Sequence, residues 1–251
     1  MASWKANDNT LIHYELHGQP AGREKLLLLP GLLGAINSQW RAFVEPLSQR
    51  YSLIMVDLRG HGRSENNDLR LMPEQMVQDL IGLLDHLAVE SAHVAGFDLG
   101  GYLGLMLLLH RPRLVNTLLM HGTKFFWSQQ AAAEMRHQLN PEHIAQKVPN
   151  YANQLSAEHG ANRWRPLVRQ AADMITHLAE MPIREAAVRR VKAPVLVSVG
   201  DRDELVPVQE AFRLSHAMEN ASLLVMPDVR HPFRSLDLIP LLPVMEKFHR
   251  R

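Results

Sequence analysis

Residues 93 to 105, "HVAGFDLGGYLGL", decide how the rest of the chain is read. An apolar β-type segment breaks at Gly96, turns through Phe97, Asp98, Leu99 and Gly100, and continues from Gly101 into an apolar helix. The turn fits G-x-nucleophile-x-G between a strand and a helix. Small residues on both flanks let the apex side chain project above the sheet and let the next backbone N–H face a reacting atom. Serine is the usual apex residue, and here it is Asp98. Aspartate is also a favoured N-cap residue whose charge suits the positive end of the following helix. Both readings can hold for one residue.

Working outward, the first half alternates β-type and helical segments. Strand character falls at 10 to 18, 25 to 31, 52 to 60 and 114 to 122, and apolar residues recur at helical spacing over 36 to 51 and from about Met72 to Leu87. This rhythm predicts an α/β fold with a mostly parallel central sheet flanked by helices. Ligands of such sheets bind beyond the carboxyl ends of the strands. From about 123 to 182 only helical periodicity remains, broken at Asn140-Pro141, Val148-Pro149 and Gly160, and strands return at 193 to 201 and 221 to 228. A helical block between strands of one sheet reads as a cap over their ends. The chain of 251 residues is therefore expected to be one domain with a cap insertion.

Composition narrows the function classes. A formal charge of +1 and a charged fraction of 21% give no field that points to nucleic acid, and "RRVK" (189 to 192) is too short a basic patch to change that. The longest apolar runs fall short of the roughly 20 residues of a membrane-spanning helix. With no cysteine there are no disulfides or thiolate metal sites; together with an N-terminus that lacks the order of a secretory signal, this reads as a cytoplasmic chain. Neither a phosphate loop, a dinucleotide fingerprint nor a metal-binding histidine spacing appears, so no cofactor or metal is expected.

Three further stations bear on Asp98. "LLLPGLLG" (27 to 34) ends a strand in a turn that would aim the Leu32 N–H at the same point as the Leu99 N–H, making an oxyanion hole. "VGDRDELVP" (199 to 207) places Asp201 and Asp203 at a strand's carboxyl end, and "VMPDVRHPF" (225 to 233) places His231 just past the last strand. Alone, each reads as an ordinary turn, acidic loop or loop histidine. In order they match nucleophile, acid and histidine of one triad. With "VDLRGHGRS" (56 to 64), the sequence resembles the α/β-hydrolase-fold superfamily from about Leu11 to Phe248, most closely its small capped hydrolases of the esterase and C–C hydrolase type. The resemblance implies Asp98 as nucleophile, Asp203 as the acid orienting His231 with Asp201 as fallback, and Leu32 and Leu99 as backbone donors. Asp98, Pro30 and Arg230 depart from the pattern, standing where serine, histidine and glycine are common.

An aspartate is already an anion at neutral pH, because its ordinary pKa is about 3.9. Attack on an ester carbonyl would give a high-energy anhydride, so the fitting electrophile is a saturated carbon bearing a halide or an epoxide oxygen. The product is an alkyl ester of Asp98 that His231 and water would hydrolyse. The resemblance places aspartate at the apex in dehalogenases and epoxide hydrolases. A leaving group needs donors, and the cap offers Trp127, Tyr151, His159 and Trp164 as substrate contacts against a plain packing role for each. One cap tyrosine favours dehalogenation over a paired-tyrosine epoxide mechanism, while Leu99 stands where haloalkane dehalogenases usually carry tryptophan. The alternative is an esterase-like or C–C hydrolase scaffold in which Asp98 replaces the serine, giving an inactive variant or a small-molecule binding protein. A small-molecule substrate is the expected partner; its identity and the oligomeric state are not legible.

Overall fold

The computed structural model describes residues 2–19, 22–236 and 238–250. The described residues form an eight-stranded sheet in the order β1-β2-β4-β3-β5-β6-β7-β8. Its strands are β1 (Ala2–Lys5), β2 (Leu11–His17), β3 (Lys25–Leu29), β4 (Ser52–Val56), β5 (Ala92–Phe97), β6 (Val115–His121), β7 (Val195–Gly200) and β8 (Ala221–Met226). The first two run antiparallel to their neighbours and all the others pair in parallel.

The β3 run shows why the sheet needs cover on both faces. Leu27 and Leu29 join one buried cluster and Leu26 and Leu28 another, so a continuous leucine run serves two cores by the alternation of strand side chains. Helices α2 (Pro73–His86), α3 (Leu99–His110) and α9 (Val208–His216) pack on the first face. The short α1 (Val44–Ser48) contributes Leu47 to the second, and α10 (Leu238–Phe248) contributes Leu241, Met245 and Phe248. Between β6 and β7 stand α4 (Gln129–Gln138), α5 (Pro141–Lys147), α6 (Pro149–His159) and α7 (Trp164–Glu180), followed by α8 (Glu185–Val188). The helical cap is thus an insertion in the sheet order. Asn140 caps α5 by accepting from the Glu142 and His143 N–H groups, and prolines open α5 and α6. No helix among the described residues is long and apolar enough to cross a membrane.

One local expectation fails, and one strand was not read from the sequence. The helical spacing over 36 to 51 yields only α1 and a preceding 3₁₀ turn, Arg41–Phe43. Ile36 gives its N–H to Asp57 Oδ1 at 2.8 Å, and Trp40 takes φ of 35° while its indole N–H donates to the Leu29 carbonyl at 2.9 Å. Tertiary hydrogen bonds hold this stretch as turns and still bury its apolar side chains. The other miss is β1, an edge strand of four residues with no apolar run to announce it.

Candidate active site

Sheet register assembles the site. Leu29 lies opposite Gly96 in the β3–β5 pair, so the turns that leave those two strands emerge side by side. Leu32 and Asp98 meet there: the Leu32 N–H donates to Asp98 Oδ2 at 3.0 Å. The Leu99 N–H also bonds the Asp98 carboxylate. Two backbone donors from different strand ends therefore converge on one side chain. Gly200 lies opposite Met226 in the β7–β8 pair, and the turns beyond them carry Asp203 and His231.

Asp98 has φ 47° and ψ −115°, a conformation that side-chain-bearing residues rarely take and that costs of order 1–3 kcal/mol. Its N–H donates to the His121 carbonyl at 2.8 Å, and its own carbonyl accepts from Gly101 and Tyr102. The flanking glycines permit the turn by close approach. A Cβ at Gly96 would lie 2.3 Å from the Gly100 carbonyl carbon, and one at Gly100 would lie 2.3 Å from the Leu29 oxygen. Although Asp98 stands at the N-cap position of α3, its side chain makes no capping hydrogen bond. The carboxylate turns toward Leu32 instead.

The histidine is gripped from behind. His231 Nδ1–H faces both oxygens of Asp203, at 3.1 and 3.0 Å, and the Asp203 side chain is 1% exposed. Asp203 Oδ1 also accepts from the Leu205 and Val206 N–H groups at 2.9 and 2.7 Å, which fixes its plane. Asp201 lies exposed in the same turn. The other ring nitrogen, Nε2, stands 4.0 Å from Asp98 Oδ1, beyond hydrogen-bond reach. Beneath the ring lies Phe97, its centroid 5.5 Å away, a contact that sequence reasoning missed although the aromatic adjoins the apex residue.

Electrostatics follow from this packing. Burial pushes the Asp98 carboxyl above the ordinary carboxylate value, against the His231 charge and the Leu32 and Leu99 hydrogen bonds, which favour the anion. Burial also pulls His231 down, but the Asp203 hydrogen bond and the charges of Asp98, Asp203 and Glu204 outweigh it and hold the imidazole above its ordinary value.

The four cap residues part ways. Tyr151 is held at about 12 by burial, then by the charges of Glu158 and Asp98, so its phenol stays protonated within the field of the Asp98 carboxylate. His159 corrects the expectation of a free donor. Its Nδ1 accepts from the Gly62 N–H at 2.8 Å and its Nε2–H donates to the Leu33 carbonyl at 3.1 Å, so the buried ring is spent on the backbone. Trp164 is 3% exposed and packs in the core, with the Arg165 guanidinium 4.4 Å from the ring centroid. Trp127 lines a separate lateral cavity with Lys124 and Glu210, two residues that carried no sequence signal beyond lying near strand ends. No cluster among the described residues is disposed to hold a metal ion.

Residues 25–171 match the family model described as alpha/beta hydrolase fold. The chain belongs to the α/β-hydrolase fold family and is an enzyme of the hydrolase class. It is 32% identical over 244 residues to a Caulobacter vibrioides protein named carbamate hydrolase RutD, covering 84% of each chain. It is also 26% identical over 236 residues to 3-oxoadipate enol-lactonase 2 of Acinetobacter baylyi, covering 86% of this chain and 84% of that one. Among solved structures, the enol-lactonase from Burkholderia xenovorans LB400 superimposes with a TM-score of 0.80 over the full length of both chains, at 19% identity.

Proposed function

We propose that this hydrolase uses Asp98 as a carboxylate nucleophile against a saturated carbon bearing a halide or an epoxide oxygen, on a small and largely apolar substrate. The carrying observation is the division of labour between the two carboxylate oxygens. Oδ2 accepts from the Leu32 N–H at 3.0 Å, while Oδ1 stands unbonded to His231 at 4.0 Å. Oδ1 attacks carbon, the carbon–halide or carbon–oxygen bond breaks, and an alkyl ester of Asp98 forms. The Tyr151 phenol is the donor offered to the departing halide or epoxide oxygen.

Hydrolysis then uses the same parts. His231 Nε2 takes a proton from water, the water oxygen adds to the Asp98 carboxyl carbon, and the developing charge falls on Oδ2, which already accepts from the Leu32 N–H. Each such donor typically contributes about 2.7–4 kcal/mol to the transition state. Collapse expels the alcohol, protonated from His231; the second water proton passes to solvent, and one water-derived oxygen remains in the carboxylate. Forming the ester removes the Asp98 charge, one of the influences that raise the His231 pKa, so alkylation itself makes the imidazole a readier base for this step.

The relatives' names favour a carbonyl substrate. Against that reading, the place a substrate carbonyl oxygen would need is filled by Asp98 Oδ2 in a charge-assisted hydrogen bond. The inactive-scaffold alternative calls for an Asp98–His231 ion pair that raises the histidine pKa; the two groups stand 4.0 Å apart as an ion pair without a direct hydrogen bond, and the Asp98 charge does raise the His231 pKa, so activity decides between the two readings. The test is turnover of short haloalkanes and epoxides in heavy-oxygen water, followed by mass spectrometry of the Asp98 peptide. Label is expected in the Asp98 carboxylate. Turnover without label overturns the mechanism; a chain inert to halides, epoxides and aryl esters that gains aryl-esterase activity on Asp98→Ser establishes the inactive scaffold instead.

A further inference from the structure

The two turns that carry Asp203 and His231 are knit together along their backbones. The Asp201 N–H donates to the Met226 carbonyl at 2.9 Å and the Arg202 N–H to the Val229 carbonyl at 3.1 Å. A Cβ at Gly200 would lie 2.0 Å from the Val229 oxygen, so only glycine permits the approach. Glu204, next to Asp203, reaches across from the first turn to the second. Its Oε1 lies 2.7 Å from Arg230 Nε, and its Oε2 accepts from the His231 N–H at 3.3 Å. The other end of that peptide group, the Arg230 carbonyl, accepts from the Ser235 hydroxyl at 2.6 Å, and the Arg230 N–H donates to the Ser235 oxygen at 3.1 Å. The peptide plane from which the imidazole hangs is therefore tied at its N–H and at its carbonyl.

Stability does not account for this arrangement. The Arg230 and Glu204 side chains are 66% and 53% exposed, and exposed ion pairs of this kind contribute little to folding. Glycine, common at position 230 in the resembling family, would leave Glu204 without its guanidinium partner. The titratable groups around the imidazole come from several elements. Asp203 faces Nδ1 from the turn after β7, and Asp98 faces Nε2 at 4.0 Å from the turn after β5. Glu204 and Arg230 meet at the His231 backbone, and His121 of β6 stacks on Phe97, the ring beneath His231, with centroids 6.1 Å apart. Burial holds His121 down at about 4, so it is neutral where His231 titrates. Burial disfavours the charged form of His231, and Asp203, Asp98 and Glu204 favour it.

We propose that Glu204 is a positioning residue for His231: anchored by Arg230, it fixes the peptide group that carries the imidazole and keeps a carboxylate charge in the field of the ring. The role rests on His231 as the base that hydrolyses the Asp98 ester, but its test needs no substrate. The experiment is the NMR titration of His231 in chain labelled with carbon-13 histidine, its signal identified by its loss in His231→Gln. In Glu204→Gln the midpoint is expected to fall at an unchanged melting temperature, raising the ratio of neutral to protonated imidazole at the parent's midpoint about twofold, the scale of one screened charge. Asp228→Asn removes an exposed carboxylate paired with Arg202 across the same two turns and is expected to leave the midpoint in place. In an Arg230→Gln chain, where the anchor is gone, Glu204→Gln is expected to move the midpoint less than about half as far. The His231 amide is expected to exchange its hydrogen severalfold faster in Glu204→Ala and at the parent's rate in Glu204→Gln, whose amide oxygen keeps the acceptor. An unmoved midpoint in Glu204→Gln, an equal move in Asp228→Asn, full additivity with Arg230→Gln, or unchanged exchange in Glu204→Ala overturns the proposal, whatever Asp98 does. The expected titrations in a chain inert to halides and epoxides would support the positioning role and fail the carboxylate mechanism alone.

Discussion

His231 and His159 were both legible as candidate histidines, and the fold takes both out of bulk water, to 19% and 0% exposure. Their partners separate them. His231 meets a carboxylate on one side and faces another across 4.0 Å, which lifts its pKa. Burial lowers the His159 pKa, and the Leu33 carbonyl with the charges of Glu158 and Asp57 does not restore it. A buried histidine among charges is set up to exchange a proton; one between backbone groups is set up to hold two segments together. His159 ties the end of α6 to the Gly62 turn and to Leu33, the neighbour of the Leu32 donor.

The strongest way to break this contrast is to remove the chemistry on one side of it. Asp98→Asn is expected to lower steady-state turnover about 10³-fold or more, the scale on which members of a catalytic unit fail. His231→Gln should fail differently, alkylating once and then stopping, so that intact-mass analysis finds the substrate's alkyl group on Asp98. A His231→Gln chain that turns over without the adduct would place the base elsewhere.

Next in size is the structural histidine. His159→Leu keeps apolar volume but strands the Gly62 N–H and the Leu33 carbonyl in a buried setting, at about 1–3 kcal/mol for each group. Denaturant unfolding should show a loss of about 2–4 kcal/mol. A loss below about 0.5 kcal/mol would mean that the two backbone groups find water.

Acid sharpens the same contrast by sign. His159 and His61 have folded-state values below the ordinary histidine value, His61 at about 3, with burial the largest cause in both. Their contribution is present above the unfolded value near 6.5 and is lost as pH falls below it, by up to about 1.4 kcal/mol per pH unit for each histidine. His231 runs the other way, its contribution complete below its unfolded value and lost as pH rises through the raised folded one. Unfolding of His159→Leu between pH 6.5 and 4.5 should therefore show a shallower acid slope than the parent chain, and an unchanged slope would remove His159 from this account.

The same division explains what the sequence could say. Parallel strands buried on both faces announce themselves as apolar runs, and β3, β5 and β7 are such runs. The nucleophile turn and the two stations beyond β7 and β8 were legible because turn glycines and polar residues at strand ends sit next to each other in sequence. His159 was legible as a candidate, but its structural role was not: its partners are backbone atoms 97 and 126 residues away, which no side-chain pattern encodes. The stretch from 36 to 51 misled for a related reason, since its apolar spacing serves burial of turns anchored on Asp57 and Leu29 rather than a helix.

A smaller effect belongs to the cap. Tyr151→Phe removes a phenol within the Asp98 field, and a leaving-group hydrogen bond of about 1.4 kcal/mol corresponds to tenfold in the alkylation rate. Single-turnover kinetics should show that tenfold loss in ester formation with ester hydrolysis unchanged. Equal slowing of both steps would make Tyr151 a packing residue of the cap.

The smallest expected effect discriminates most finely, because it concerns two aspartates two residues apart. Asp203 presents its carboxylate to His231 while the Leu205 and Val206 N–H groups lock its orientation, and it is shut away from solvent. Asp201 uses its backbone N–H on the Met226 carbonyl and leaves its side chain in water. Amide replacement therefore acts on different things. At 203 it deprives the imidazole of the acceptor that fixes Nδ1–H inward and Nε2 toward Asp98; at 201 it alters only a solvated charge, screened beyond about 10 Å at 0.1 M salt. Asp201→Asn is expected to keep kcat/KM within about twofold, while Asp203→Asn falls by orders of magnitude. Comparable losses in the two variants would show that the acidic turn works through its summed charge rather than through one oriented carboxylate.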